Sequence, residues 1–117
     1  MQRNNRENRG DDVMDKAKAL KLVKEYADIV VKNMKVNKII LYGSYARGDY
    51  REDSDIDVAV VVPRSSISKD ILEDMTKLCK LRRDVSVDIE PVLIIDEEDP
   101  SGFLESISEY GEVVYSI

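Results

Sequence analysis

The sequence contains no histidine and a single cysteine, Cys79. The absence of histidine excludes serine-histidine-aspartate and cysteine-histidine catalysis, histidine-ligated zinc sites and a histidine general base. One cysteine cannot form an intrachain disulfide, so we expect a reducing compartment. Any chemistry must therefore rely on carboxylates, hydroxyls, lysine, arginine or oxygen-bound metal ions.

The chain also lacks long apolar segments and an excess of positive charge. No apolar run approaches the roughly 18 residues that span a bilayer, and the N-terminus has no apolar signal core. We therefore expect no membrane partner and a cytoplasmic location. The net charge is -6, with 24 acidic and 18 basic residues. Proteins that bind long nucleic acid usually show a basic footprint, so direct nucleic-acid binding is not expected.

Hydrophobic periodicity predicts the elements of one domain. Residues 1–10 are polar and are predicted to form a disordered lead-in, and residues 11–117 a single domain. The predicted helices are 11–35, with Asp11 or Asp12 as N-cap, 69–83, and 101–110, which stops at Gly111. The predicted strands are Lys38–Tyr42, 55–62 and 85–95, with an edge strand at 113–115 as an option. This order predicts an α/β (α+β) fold with a small mixed β-sheet of three to four strands packed with helices.

Two acids, Asp55 and Asp57, lie in an otherwise apolar predicted strand. Residues two apart on a strand project from the same face, so the two carboxylates repel each other unless a cation lies between them. Magnesium typically takes one or two protein carboxylates together with phosphate oxygens. An Asp-x-Asp pair alone more often marks a solvated strand end, because short motifs are weak evidence.

A second motif, Gly43-Ser44, follows the first predicted strand. Glycine at a strand end allows the backbone to approach a ligand closely, and serine offers a hydroxyl and an N–H that can bind phosphate. Alone, this pair is typical of an ordinary turn. Here it is followed by ten residues and then by Asp55-Ile56-Asp57 in a second apolar strand, and the combination is specific.

The combined pattern resembles the signature of the DNA polymerase β-type nucleotidyltransferase superfamily, in particular its minimal nucleotidyltransferases. The resemblance extends from the first predicted strand to the third and implies the nucleotidyltransferase fold. The matching residues include Gly43, Ser44, Arg47, Gly48, Ser54, Asp55, Ile56 and Asp57.

The resemblance also implies roles for these residues. Gly43 and Ser44 would hold the triphosphate, with Ser54 as a further nucleotide-binding residue. Arg47 is a candidate for the same role because its guanidinium donors suit phosphate, although an exposed loop arginine is more often solvated. Asp55 and Asp57 would bind two magnesium ions, with manganese as an alternative, and ATP is the usual donor.

Members of the family usually supply a third carboxylate from a later strand. Asp88 is the preferred candidate for this catalytic, metal-binding residue, because the family's third acid tends to be the first acid after an apolar residue there. Glu90 is the alternate, and Asp84 is a poorer candidate because it falls at a predicted helix end.

The activity that the resemblance implies is metal-dependent transfer of a nucleotide, AMP from ATP, to an acceptor hydroxyl. The acceptor is left open among a protein, an RNA end and a small molecule such as an aminoglycoside. A chain of this length leaves no room for an acceptor domain, so we expect the acceptor to come from another copy or another protein. The resemblance to minimal nucleotidyltransferases implies a helical HEPN-type partner, as in a toxin-antitoxin pair. Homo-oligomerisation is left open. The alternatives are a non-catalytic binding module or antitoxin with this fold, and a purely structural domain.

Two other nucleotide- or metal-binding motifs are excluded by their missing residues. The glycine spacing of Gly43 and Gly48 matches a P-loop, but Asp49 and Tyr50 stand where lysine and serine or threonine are needed. The segment that starts at Asp53 imitates an EF-hand, but valine and arginine replace the glycine and glutamate that such a loop requires.

Overall fold

The computed structural model describes residues 14–67, 70–98 and 102–117. The helices in these ranges are α1 (Lys16–Asn33), α2 (Gly43–Arg47), α3 (Ile71–Leu81) and α4 (Phe103–Tyr110). The strands are β1 (Lys38–Tyr42), β2 (Ile56–Val62), β3 (Ile89–Ile95) and β4 (Glu112–Ser116). Short 3-10 helices at Arg64–Ser66 and Arg82–Asp84 precede and follow α3. None of the helices in the described ranges has the length and apolar character needed to cross a membrane.

Helix α1 begins later than the sequence pattern predicts. Its N-cap is Asp15, whose carboxylate accepts a hydrogen bond from the Lys18 N–H at 2.8 Å. An aspartate there satisfies a backbone N–H that has no partner inside the helix, so the predicted N-cap at Asp11 or Asp12 is wrong. Those two residues and the predicted lead-in lie outside the described residues.

The predicted third strand also begins late, at Ile89, because the residues before it form a turn. The Ser86 N–H donates to the Arg82 carbonyl oxygen at 2.8 Å, and the Asp88 N–H donates to Ser86 Oγ at 3.1 Å. A serine that bonds to its local backbone competes with strand pairing. Asp88 consequently lies in a turn directly before β3.

The remaining predicted elements are confirmed with small changes at their ends. The predicted helices 69–83 and 101–110 correspond to α3 and α4, and Lys69 and Ser101 lie outside the described residues. Gly111 is the C-cap of α4, as predicted. The segment after β1 has no predicted helix or strand, and its first residues form the short helix α2.

The four strands form one mixed sheet in the order β3-β2-β1-β4. Strand β1 is antiparallel to both β2 and β4, whereas β2 and β3 are parallel. Strand β3 lies at the edge, where Pro91 is tolerated because one side of the strand needs no N–H donor. The predicted mixed sheet of three to four strands is therefore confirmed.

The sheet has a core on each face. The main core lies against α1 and α3 and contains alternate residues of β2, among them Val58 and Val60. The second core is smaller and lies under α4; it consists of Ile40, Ala59, Val61, Ile94 and Ile107. Successive strand residues point to opposite faces, so Asp57 shares the α4 face with Ala59 and Val61.

Tyr26 joins α1 to α3 inside the main core. Its side chain is fully buried, and its hydroxyl donates a hydrogen bond to the Leu78 carbonyl oxygen at 2.8 Å. Burial, followed by the nearby Cys79 thiol, raises the pKa of the Tyr26 hydroxyl well above its ordinary value. The hydroxyl therefore stays a neutral donor at physiological pH.

We expect Tyr26→Phe to lower the free energy of unfolding by about 1–2 kcal/mol, because a buried carbonyl loses its side-chain donor. Urea denaturation measures this loss. Tyr115→Phe is the matched control, since Tyr115 is half-buried on β4 and its hydroxyl makes no hydrogen bond to the described residues. We expect the control to change stability by less than about 0.5 kcal/mol. Equal losses in the two variants would show that the bond to Leu78 contributes nothing.

Candidate active site

The predicted acids meet at one end of the sheet. Strand β1 ends there, and the parallel strands β2 and β3 both begin there. Tyr42 lies opposite Asp57 in the β1–β2 register, and Asp57 lies opposite Glu90 in the β2–β3 register. The Ile56 N–H donates to the Asp88 carbonyl oxygen at 2.9 Å. The fold therefore brings the Asp55-Asp57 segment beside both candidates for the third carboxylate.

Asp57 is the acid most affected by this crowding. Partial burial raises the pKa of its carboxyl group, and the negative charges of Asp55 and then Glu90 raise it further. The positive charge of Arg47 acts in the opposite direction. A cation bound between the carboxylates would relieve the same repulsion.

Gly43 lies in direct contact with this acid. Its φ angle is +75°, which residues with a side chain rarely adopt. A Cβ atom at Gly43 would overlap Asp57 Oδ2 and lie 2.9 Å from Asp57 Cγ. Glycine is therefore required here for two independent reasons, and α2 can begin directly against the Asp57 carboxylate.

Ser54 shapes the loop that leads from α2 to β2. Its Oγ accepts a hydrogen bond from the Arg51 N–H at 2.7 Å, while its own N–H donates to the Arg51 carbonyl oxygen at 3.0 Å. These two bonds close a turn immediately before Asp55. The hydroxyl proton of Ser54 is not used in either bond, so the predicted contact with a nucleotide stays a prediction.

Arg47 is held by two neighbours on the α4 side of the site. Its Nε pairs with Asp49 Oδ2 at 3.3 Å, and its guanidinium carbon lies 5.8 Å from the centre of the Tyr110 ring. The hydrogen bond to Asp49, aided by the charge of that residue, raises the pKa of Arg47 above its ordinary value. Arg47 is thus a permanent positive charge whose field reaches Asp57.

The two candidates for the third carboxylate differ in their surroundings. Glu90 is exposed, lies on the α4 face with Asp57, and pairs with Arg82 at 3.6 Å. Arg82 also donates to the Ile89 carbonyl oxygen at 2.7 Å, which ties the start of β3 to the end of α3. Asp88 is exposed in the preceding turn. Desolvation is the main cause that raises the pKa of the buried Tyr45 hydroxyl, and the negative charge of Asp88 raises it further. Both acids remain candidates.

Sequence reasoning missed Tyr42, Arg82 and Tyr110. Tyr42 is the register partner of Asp57, Arg82 pairs with Glu90, and Tyr110 packs against Arg47. No sequence signal singles them out, because each reaches the site through strand register or helix packing. Only the short distance of Tyr42 from Gly43 along the chain could have drawn attention to it.

The donor set at this end of the sheet fits magnesium bound together with a phosphate ligand. In the described ranges, no three or more histidine, cysteine, aspartate or glutamate side chains are grouped closely enough to hold a metal ion by themselves. Asp55 and Asp57 nevertheless offer carboxylate oxygens within one crowded cluster. Since magnesium commonly takes one or two protein carboxylates and completes its shell with phosphate oxygens and water, the residue types present here fit this ion.

Comparison with known proteins identifies the same family that the sequence motifs resemble. The family described as "Polymerase beta, Nucleotidyltransferase" matches residues 24–117. A candidate protein adenylyltransferase of Methanocaldococcus jannaschii is 31% identical over 99 residues, which cover 81% of this chain and 96% of that protein.

Two solved structures share the fold. A candidate nucleotidyltransferase from Sulfolobus solfataricus has a TM-score of 0.65 at 20% identity, over 86% of this chain and 83% of that one. A chain of a toxin-antitoxin complex with AMP-PNP has a TM-score of 0.50 at 22% identity, over 89% and 75% of the two chains. At such identities the likeness concerns the fold alone. With the family match over 24–117 and the contact of Gly43 with Asp57, it follows that the chain belongs to the polymerase β-type nucleotidyltransferase family and is a nucleotidyltransferase.

Proposed function

We propose that this nucleotidyltransferase transfers AMP from ATP to a hydroxyl group of a partner protein. The observation that carries the proposal is the contact between Gly43 and Asp57. It joins the pair expected to hold a triphosphate to the acids expected to hold metal ions. A donor bound at Gly43 and Ser44 therefore lies directly beside the acidic cluster.

The donor site is built from α2 and the loop that follows it. The N–H and hydroxyl of Ser44 are the proposed donors to phosphate oxygens, and Gly43 leaves room for the approach. Arg47 supplies a positive charge on the α4 side, and its planar fork suits phosphate. Ser54 keeps the turn before Asp55 closed through its bond to Arg51 and has a hydroxyl proton left to donate.

The acids are the proposed metal ligands. Asp55 and Asp57 would hold two ions together with Asp88, or with Glu90 in its place. Magnesium, or manganese, when bound, neutralises the phosphate oxygens and the leaving pyrophosphate.

The residues of the chain position the reactants rather than bond to them. The acceptor oxygen forms a bond to the α-phosphorus of ATP, the bond from that phosphorus to the bridging oxygen breaks, and pyrophosphate leaves. Asp88 or Glu90 is the proposed acceptor of the hydroxyl proton. No covalent protein intermediate is needed, because orientation and charge stabilisation account for large rate gains in reactions of this kind.

A protein acceptor is favoured by the relative and by the charge. The M. jannaschii protein is named as a protein adenylyltransferase, and its whole length is nearly covered by the alignment. The net charge of -6 opposes binding to RNA or DNA but suits a basic protein. A toxin-antitoxin complex with AMP-PNP contains a chain of this fold. We therefore propose a helical, HEPN-type toxin as the partner, silenced when AMP adds charge and bulk to its hydroxyl.

The proposed compartment is the cytoplasm. ATP is available there, and the exposed thiol of Cys79 stays reduced in that environment.

The first prediction concerns nucleotide binding. ATP affinity should depend on magnesium, and Asp57→Asn should lower it at least about tenfold, since even residues that only support metal ligands cost that much. Gly43→Ala should lower it as well, because the new Cβ displaces the Asp57 carboxylate. Calorimetric titration with and without magnesium measures both effects, and Asp53→Asn in the exposed turn is the control. Metal-independent binding of equal strength in all variants would contradict the proposed site.

A second prediction concerns stability without metal. The folded-state pKa of Asp57 lies above its ordinary value, so ionisation at neutral pH costs the fold stability. Asp57→Asn should therefore raise the free energy of unfolding at pH 7 by ~0.5–1 kcal/mol. We expect a gain near the lower value, because the Asp57 side chain is half-exposed and solvent screens its charge. The gain should shrink as pH falls through the raised pKa, since the parent carboxyl then becomes neutral too. Melts in chelator over a pH series decide this, and a lower stability of Asp57→Asn at pH 7 is the opposite result.

The third prediction concerns the acceptor. Incubation with the copurifying helical partner, ATP and magnesium should add the mass of one or more AMP groups to a partner tyrosine or serine. Asp55→Asn should abolish the addition while leaving the complex intact, because the acid contributes to chemistry rather than to docking. Mass spectrometry of both chains reports the result. If the partner binds but stays unmodified while an RNA end or a small molecule gains AMP, the acceptor is not a protein.

A further inference from the structure

We propose that Tyr42, Phe103 and Tyr110 form a surface on which the base of the donor nucleotide stacks. We call these three residues the aromatic rim. The inference rests on the proposed function, because it names the base-binding part of the same donor site. None of the three is among the residues named as matching the family signature.

The rim begins beside the acids. Tyr42 is the last residue of β1 and the register partner of Asp57, and it packs against the second core on the α4 face. The ring of Phe103 meets the ring of Tyr42 edge to face, with 5.5 Å between centroids and an interplanar angle of 87°. An aromatic pair therefore stands next to the acid that contacts Gly43.

Helix α4 extends the rim past this pair. Phe103, Ile107 and Tyr110 are spaced four and then three residues apart, so they lie along one stripe of the helix. Ile107 is buried in the second core and anchors the stripe to the sheet. At its end, the Tyr110 ring lies 5.8 Å below the guanidinium of Arg47. Burial raises the pKa of Tyr42 and the negative charge of Asp57 raises it further, in agreement with the register position of Tyr42 beside that acid.

Core packing buries the two helix residues of the rim only in part. Phe103 is 38% exposed and Tyr110 is 36% exposed, whereas Ile107 between them is 1% exposed. Phe103 and Tyr110 also lie outside both hydrophobic cores of the described residues. Exposed aromatic rings beside an anion-binding segment are the usual stacking surface for nucleobases, which have an apolar face of matching shape.

The position of the rim favours the base of the donor nucleotide, rather than its phosphates, as the group that binds there. Tyr42 directly precedes Gly43, so phosphates held at Gly43 and Ser44 tether the ribose and base to this end of the sheet. Glu90 and Asp55 make the other side of the site acidic. An uncharged, flat base therefore fits the rim, while the phosphates fit Ser44 and Arg47.

Calorimetric titration with two ligands tests the rim: magnesium-ATP, which carries a base, and magnesium with inorganic tripolyphosphate, which does not. Phe103→Ala and Tyr110→Ala should each weaken ATP binding about tenfold, as expected when one base–aromatic contact is removed. Tripolyphosphate affinity of Phe103→Ala should stay within about twofold of the parent. Tyr110→Ala also removes a neighbour of Arg47, so it should lower tripolyphosphate affinity as well, but by a smaller factor than it lowers ATP affinity. Leu72→Ala, an exposed apolar residue on α3, is the control and should change neither ligand. Thermal melts verify that each variant is folded, and Phe103→Leu, which keeps apolar bulk but no ring, should resemble Phe103→Ala in ATP binding.

Several results would contradict the proposed stacking of the base on the aromatic rim. Unchanged ATP affinity in both alanine variants excludes stacking, and equal losses for ATP and tripolyphosphate show that the residues act through the fold. Unchanged ATP affinity together with a raised KM for the protein acceptor would assign the rim to the acceptor instead. These results leave the proposed function intact. A folded parent that binds neither ligand contradicts the proposed function as well.

Discussion

The contact between Gly43 and Asp57 determines most of the site's geometry. Antiparallel pairing of β1 with β2 places the end of one strand opposite the start of the other, and a glycine with positive φ lets the chain turn into α2 there. Ser44 is then held beside a carboxylate instead of beside an apolar strand. Parallel pairing of β2 with β3 adds Glu90 on the same face. Any side chain at position 43 would force these parts away from one another.

Crowded acids give this arrangement a cost that a bound cation would remove. The raised pKa of Asp57 reflects burial and the charges of Asp55 and Glu90, partly opposed by Arg47. The supporting ion pairs of the site are exposed or half-exposed, and such pairs stabilise a fold only slightly. The two hydrophobic cores beneath the site and the strand register therefore hold its residues in place. A destabilising site supported by a stable core is common at functional sites, where stability and activity are in conflict.

Residues whose positions depend on local pattern could be predicted from the sequence. Gly43 and Asp57 were singled out because each lies at the end of an apolar strand and because the two motifs together resemble the family signature. Tyr42 and Tyr110 were missed because Tyr42 reaches the site through its register with Asp57 and Tyr110 through the packing of α4. The adjacency of Glu90 and Asp57 depends on the β2–β3 register, which sequence periodicity does not reveal. Asp88 was placed in a strand, since the turn-forming bond of Ser86 has no periodic signature.

A crystal structure with manganese and AMP-PNP would test the central claim most directly, because anomalous scattering locates the metal independently of any assay. We expect an anomalous peak between Asp55 and Asp57, about 2.0–2.5 Å from carboxylate oxygens, as for hard divalent cations, with the phosphates at Gly43 and Ser44. The same map would show whether Asp88 or Glu90 is the third ligand. Nucleotide bound elsewhere, or ordered at Gly43 with no metal at Asp55 and Asp57, would contradict the account.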